Sequence, residues 1–437
     1  MLRKLWPLYL FLLFLPLDLR ASFLPGYWGE KIRLTDLSFL ILCLFWFIQS
    51  IQKPRLPVRP PLLFALLLVF FTASLSLIGA IDLSQGFVQL AGLGYLIALY
   101  FILTDLMQDQ QTIRNVIKFW IAIQTLIALL SLISWLIHFA GIPSIMVIAR
   151  KEYSTLLPPR IKGFCFSPNS FALQTHIAII FAFAFWLEKR DGLEQTERTD
   201  KDRWTFPSLI GLTLANILCV SRLILGTLIS VCAILRRAKE PWCSPLRKGI
   251  IASLFLLGIA AWPLTLWTVM PVKIHHEVKG DDSFLSLQWN SSRNFYFLNA
   301  KASLQMVLDH PWFGVGIGNF RPQLINYFPH YKIDSHKLYG GPGRLSHHLP
   351  HQFYGGWAAQ TGIVGLAAML FFLGGFLRKS LNAVEKSGDY VTQAIWATAI
   401  GFMVQGFLND LIFERSFWLF LAIAVSWLRT LELKKIL

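Results

Sequence analysis

Charge is scarce in this sequence. Only 15% of its 437 residues are Asp, Glu, Lys or Arg, against 55% hydrophobic residues, and the mean hydropathy is +0.54. Ordinary soluble domains carry about 25% charged residues, so the composition excludes a water-soluble globular protein. Acid is the scarcer sign, with 24 Asp and Glu against 40 Lys and Arg and a net charge of +16. Cysteine is sparse as well. Of five, Cys43, Cys219 and Cys232 fall in apolar runs while Cys165 and Cys243 lie outside them, a scatter that gives neither a disulfide framework nor metal-ligand spacing. Period-two alternation is absent, which excludes a β-barrel. No internal repeat and no separate soluble domain interrupts the apolar pattern.

What is present is a series of apolar runs. A helix crossing the ~30 Å hydrocarbon core needs roughly 17 to 25 mostly apolar residues, and only helices satisfy their own backbone there. The expected fold is an all-α polytopic membrane protein, residues 1–437 forming one integral membrane domain. Twelve spans are expected near 5–17, 34–51, 60–81, 84–104, 116–139, 168–187, 205–220, 223–235, 249–270, 356–377, 391–409 and 416–431. Lys and Arg in the short loops concentrate on the side that holds Arg3 and Lys4, which sets both termini inside. The first run resembles a signal-peptide core, but no small-x-small cleavage site follows, so it reads as a retained helix. Much of the basic excess flanks spans, where it opposes anionic headgroups; it predicts membrane lipids as partners and no nucleic acid.

One stretch, 289–366, is too polar for the bilayer, and most of it forms the expected extracytoplasmic loop 271–355 between the ninth and tenth spans. Its SSRNFYFLNAKASLQMVLDHP portion predicts a surface helix, with Arg293 in the first turn and an apolar face of Phe297, Ala300, Leu304, Val307 and Leu308 packed on the bundle. Pro311 stops it. Gly314, Gly316 and Gly318 follow without the strand or the spacing of a dinucleotide loop, so they read as close backbone packing, with amides available to an anion. His347, His348 and His351 are closely spaced, but HHxxH does not set ligands on one helical face, and no metal site is expected. Elsewhere on the outer side, Arg160 precedes a span in LPPRIKGFCFSPNSFA, where Ser167 or Asn169 can cap the helix. Arg222 follows Ser221 at the tip of a hairpin of two short apolar runs, a place for an arginine that snorkels to headgroups or grips an anion.

These segments carry a resemblance. HPWFGVGIGNF followed by HQFYGGWAAQTGIVGL, with RIKGFCFSPNSFA and SRLILGTLIS upstream and Arg293 before the surface helix, resembles the O-antigen ligase and polymerase superfamily of bacterial membrane glycosyltransferases, over about residues 160–376. Two positions depart from the family pattern: Gln352 stands where Asn is common, and Gln360 where Glu is common. Gln360 can be neither base nor counter-charge.

The resemblance implies a GT-C-like enzyme of the bacterial inner membrane, working at its periplasmic or outer face. It implies transfer of a glycan from a polyprenyl diphosphate carrier to a glycan or lipid acceptor hydroxyl, either as a ligase or as a polymerase. By resemblance Arg160, Arg222 and Arg293 hold the diphosphate, a task suited to an always-charged, bidentate group. His351 is the implied base, since an imidazole of reference pKa ~6.5 is matched to neutral pH. Attack opposite the diphosphate inverts the anomeric centre, and the arginines replace a metal, so no cofactor is expected. Asn169, Ser221, Gly316, Gly318 and Gln352 complete the expected pocket. The competing class is an anion or small-solute transporter. Transporters show repeated halves and helices broken near the midplane, whereas the distinctive residues here gather at one surface.

Overall fold

The computed structural model describes residues 5–18, 33–52, 60–148, 159–191, 204–237, 299–327 and 350–433. Its described residues are mostly helical. In chain order the helices are α1 (Trp6–Phe14), α2 (Leu34–Gln52), α3 (Leu63–Leu75, continued by a 3₁₀ turn Ser76–Gly79), α4 (Leu83–Leu106), α5 (Gln110–His138), α6 (Pro168–Arg190), α7 (Thr205–Leu218), α8 (Ile224–Arg237), α9 (299–309), α10 (Phe320–Tyr327), α11 (Phe353–Ser387), α12 (Tyr390–Gln405) and α13 (Arg415–Leu433). A two-residue ribbon, β1 (Val147–Ile148) antiparallel to β2 (Arg160–Ile161), joins α5 to α6.

Several helices start on a short polar side chain. Asp82, Asp109, Ser167 and Asp389 accept the amide hydrogen three residues on, at 3.0, 2.8, 3.1 and 2.7 Å. Such caps contribute about 1 kcal/mol each. At α6, Ser167 is the cap and Pro168 takes the first helical position.

Helices occupy eleven of the twelve expected span positions; the ninth, 249–270, lies outside the described residues. Six of them, α2, α4, α5, α6, α11 and α13, are long and apolar enough to cross a membrane. The α3 segment with its 3₁₀ turn, and α7, are apolar but shorter. The chain is thus a multi-pass helical membrane protein.

At the centre is α6, buried along nearly its whole length although Gln174, Thr175 and His176 are polar. Each finds a partner on a neighbour: Gln124 of α5, Asn216 of α7 and Thr227 of α8. Lipid gives helices little hydrophobic reason to associate, so small residues and polar links decide which faces meet. Gly226 of α8 and Gly401 of α12 show this. A Cβ on Gly226 would lie 2.6 Å from the Gly401 carbonyl oxygen, so the two backbones approach more closely than any side chain allows.

The largest irregularity lies in α11. Gly362 adopts φ 69° and ψ −173°, which interrupts the helix within its first third. The break leaves the Ala359 and Gln360 carbonyls and the Ile363 and Val364 amides without helical partners. Residues 311–316 supply all four: the Val315 and Gly316 amides donate to Ala359 and Gln360 at 2.9 and 3.0 Å, while the Pro311 and Trp312 carbonyls accept from Ile363 and Val364 at 2.8 and 3.4 Å. The glycine loop therefore acts as a missing turn of α11.

One expectation is corrected. The face of α9 turned to the protein is Asn299, Ala302, Ser303 and Met306, while Leu304 and Leu308 are 60% and 63% exposed. Small and polar side chains face the bundle because α9 approaches closely enough for Ser303 to accept from Gln352 at 3.3 Å. Phe297 and Arg293 lie outside the described residues.

Candidate active site

The ends of α6, α7, α8, α11, α12 and α13 that the sequence assigns to the outer side form one polar patch. The α7–α8 turn is its pivot. Val220 takes a left-handed φ of 46°, reversing the chain within Cys219–Leu223. Arg160 reaches this turn from β2, its Nε donating to the Cys219 carbonyl at 2.7 Å. Ser221 Oγ donates to Asn169 Oδ1 at 2.9 Å, tying the turn to the first turn of α6. Arg160, Asn169, Ser221 and Arg222, separated by up to 62 positions in the chain, are thereby brought together.

His351 stands just ahead of α11. It is partly buried, with a left-handed φ of 52°, and Gln352 follows as the N-cap residue of α11. The Phe353 amide donates to the Gly406 carbonyl at 2.7 Å, and Tyr354 Oη donates to the Met403 carbonyl at 2.9 Å. Gln405 Nε2 donates to the Leu223 carbonyl at 2.7 Å. Two adjacent residues at the end of α12 thus hold the arginine turn on one side and the histidine turn on the other.

Gly316 and Gly318 pack against Ala80, the start of α4 and Gln360. Their left-handed φ values, 94° and 77°, let the loop press on Ala80 and Gln85, where added Cβ atoms would come within 2.7 Å. Their amides are already spent, Gly316 on the Gln360 carbonyl and Gly318 on Gln360 Oε1 at 2.9 Å. They shape the loop and do not present an anion cradle. Gln360 itself is 6% exposed, and its Nε2 also donates to the Gly356 carbonyl at 3.0 Å. The Gln360 amide is a clamp between α11 and the glycine loop, a role that uses both its donor and its acceptor. Arg293, His330, His336, His347 and His348 lie outside the described residues.

Sequence reasoning missed the α12–α13 connection. Glu414 Oε1 accepts from Ser170 Oγ at 2.8 Å, next to Asn169, and Arg415 pairs with Asp36 at 2.5 Å. Asp410 and Arg321 feel one another's charge, and Arg321 Nε is buried without a hydrogen-bond partner. The signal was there: Asn409, Asp410, Glu414 and Arg415 crowd into the short gap between two apolar runs of an acid-poor chain.

Burial pushes the Asp410 carboxyl from 3.8 up to about 7; the Ile412 amide and Arg321 oppose the shift, and Glu414 adds to it. Burial also raises Glu414, against the Ser170 hydrogen bond. A folded pKa above the unfolded value means the folded state binds the proton more tightly. Stability is then full below about pH 4 and falls as pH rises toward 7. Asp410→Asn should remove this slope, making the variant the more stable protein above pH 7, with a ceiling of about 4 kcal/mol at ~1.4 kcal/mol per unit. Thermal unfolding of both proteins between pH 4 and 8 measures it; parallel curves would contradict the assignment.

Residues 207–370 match the family model described as O-antigen ligase. The match takes in Ser221, Arg222, Gly316, Gly318, His351 and Gln352, and begins after Arg160 and Asn169. No curated protein matches the chain. The arginine turn and the histidine turn that α12 holds together both lie within the match, and over residues 207–370 the chain is similar to the O-antigen ligase family.

Proposed function

We propose that this protein is a membrane glycosyltransferase that moves a glycan from a polyprenyl diphosphate carrier to an acceptor hydroxyl at the outer face of the bacterial inner membrane. The observation that carries the reading is the joint anchorage of the Arg222 and His351 turns on Gln405 and Gly406. An arrangement with fixed cations on one side and a base on the other suits a reaction that needs both at once.

In the proposed step the acceptor oxygen attacks the anomeric carbon while the His351 imidazole takes its proton. The bond from that carbon to the diphosphate oxygen breaks, and polyprenyl diphosphate leaves with the electron pair. Arg222 and Arg160, joined by Arg293, meet the negative charge that grows on the leaving group. Fixed donors aimed at developing charge are worth most where water is excluded. Attack from the face opposite the diphosphate inverts the anomeric centre, and no metal is required. Asn169 and Ser221 fix the arginine turn, Gln352 sets the histidine turn against α9, and Gly316 and Gly318 shape the glycine loop.

A transporter has less support. The helix break at Gly362 is bridged by the chain's own loop, which takes up the amides and carbonyls that a carrier's broken helix would turn to its solute.

The test is purified protein in bilayers given native lipid-linked glycan and acceptor, with a strong chelator present. The expected result is release of polyprenyl diphosphate together with a glycosylated acceptor. A ladder of lengthening chains identifies a polymerase, and one finished glycan on a new acceptor identifies a ligase. Anion uptake without glycan transfer would overturn the reading.

A further inference from the structure

His176 lies in α6, about two turns below Asn169, and is fully buried in the bundle. An ionisable side chain inside a membrane is costly and calls for a reason. Its Nδ1 is 2.9 Å from Thr227 Oγ1 of α8, its ring meets Phe402 edge-on at 5.1 Å, and the Thr398 backbone of α12 lies within reach of the imidazole. A Cβ on Gly401 would lie 2.7 Å from His176 Cε1, so α12 has made room for the ring.

The link to Thr227 is one of four along the α7–α8 turn and α8. From the outer end inward, Ser221 Oγ bonds Asn169 of α6 at 2.9 Å, the Leu223 carbonyl accepts from Gln405 of α12 at 2.7 Å, Thr227 bonds His176 of α6, and Ser230 Oγ donates to the Ala397 carbonyl of α12 at 2.8 Å. The bonds alternate between the same two neighbours, at intervals of two to four residues. Each is worth about 0.6 kcal/mol in a membrane, too little to hold the bundle together. Their number and alternation nevertheless define how far α8 stands along α6 and α12. Arg222 occupies the gap between the first two bonds. A slip of α8 by a fraction of a turn would carry the guanidinium with it.

We infer that His176 is a positioning residue: through Thr227 it sets the height of α8 against α6 and so aims the Ser221–Arg222 turn. This rests on the reading of Arg222 as a diphosphate ligand, though the height itself does not. Misplacing a catalytic group by about 1 Å can cost roughly 100-fold in rate.

The experiment compares Thr227→Val, which deletes one hydroxyl and keeps the shape, with His176→Phe, His176→Asn and His176→Gln. An asparagine amide can occupy the place of Nδ1, whereas a glutamine amide falls nearer Nε2. Thr227→Val and His176→Phe should lower kcat about tenfold while the KM for the lipid-linked donor moves less than about threefold, because the arginine acts mainly on the departing charge. His176→Asn should stay within about threefold of wild type, and His176→Gln should not. Wild-type kcat in Thr227→Val, or equal rescue by Gln and Asn, would overturn the inference.

A second readout needs no activity. In a background with the five native cysteines replaced, cysteines at 169 and 221 should cross-link readily. Adding Thr227→Val should slow their cross-linking. An unchanged rate would overturn the positioning role even if the protein transfers no glycan, which separates failure of this inference from failure of the proposed function.

Discussion

Replacing Arg222 by alanine should lower glycan transfer by about 10³-fold, since removing a fixed donor to developing charge costs roughly 10²–10³ and an arginine on a phosphoryl group costs more. The protein should remain folded and in the membrane. Arg222 is partly exposed at the tip of its turn, and the backbone bond from the Leu225 amide to its carbonyl does not depend on the side chain. Lysine in its place should recover only part of the rate, because a point charge cannot reproduce the two parallel bonds of a guanidinium. His351→Ala should cost about 10²–10⁴, the usual worth of a general base. Both effects are read as release of polyprenyl diphosphate from lipid-linked glycan. Wild-type turnover from both variants would sink the site assignment.

Gly362→Ala should be the most destabilising single-methyl change among the described residues. Its φ of 69° with ψ of −173° belongs to a region open essentially only to glycine. An added Cβ would also lie 2.1 Å from the Trp312 carbonyl oxygen, one of the four groups that bridge the break. Strain and lost hydrogen bonds together should cost at least about 3 kcal/mol. The expected observation is little protein recovered from membranes, or a large fall in Tm. Gly374→Ala, on the same helix, is the control. Nothing lies within 4 Å of its Cβ, and alanine should be neutral or gain about 1 kcal/mol of helix stability. Equal behaviour of the two variants would refute the view of the loop as part of α11.

Much of this was legible in the chain itself. Apolar runs located the helices because the bilayer demands length and uniform hydrophobicity, and these can be counted. Ser221 and Asn169 could be singled out from motif resemblance alone, and they prove to be bonded to one another. The facing of α9 was not legible. Leu304 and Leu308 form an obvious apolar stripe, but in a membrane protein such a stripe can turn outward as readily as inward, and close approach chose Ala302, Ser303 and Met306 instead. Asp410 escaped notice for a related reason. A carboxylate between two spans reads as solvated loop until the fold half-buries it. The bonds made by His176 were also hidden, since one histidine in an apolar run does not announce which helix it will meet.

The splice at Gly362 also bears on how such proteins can be recombined. Because residues 311–316 complete the hydrogen bonding of 359–364, the segment that precedes α11 is not a cassette that can be lifted from one relative into another. A chimera with a crossover between these two stretches would leave each parent's half-turn facing a stranger. The segment and its span form a single unit of inheritance, and any exchange must carry both together.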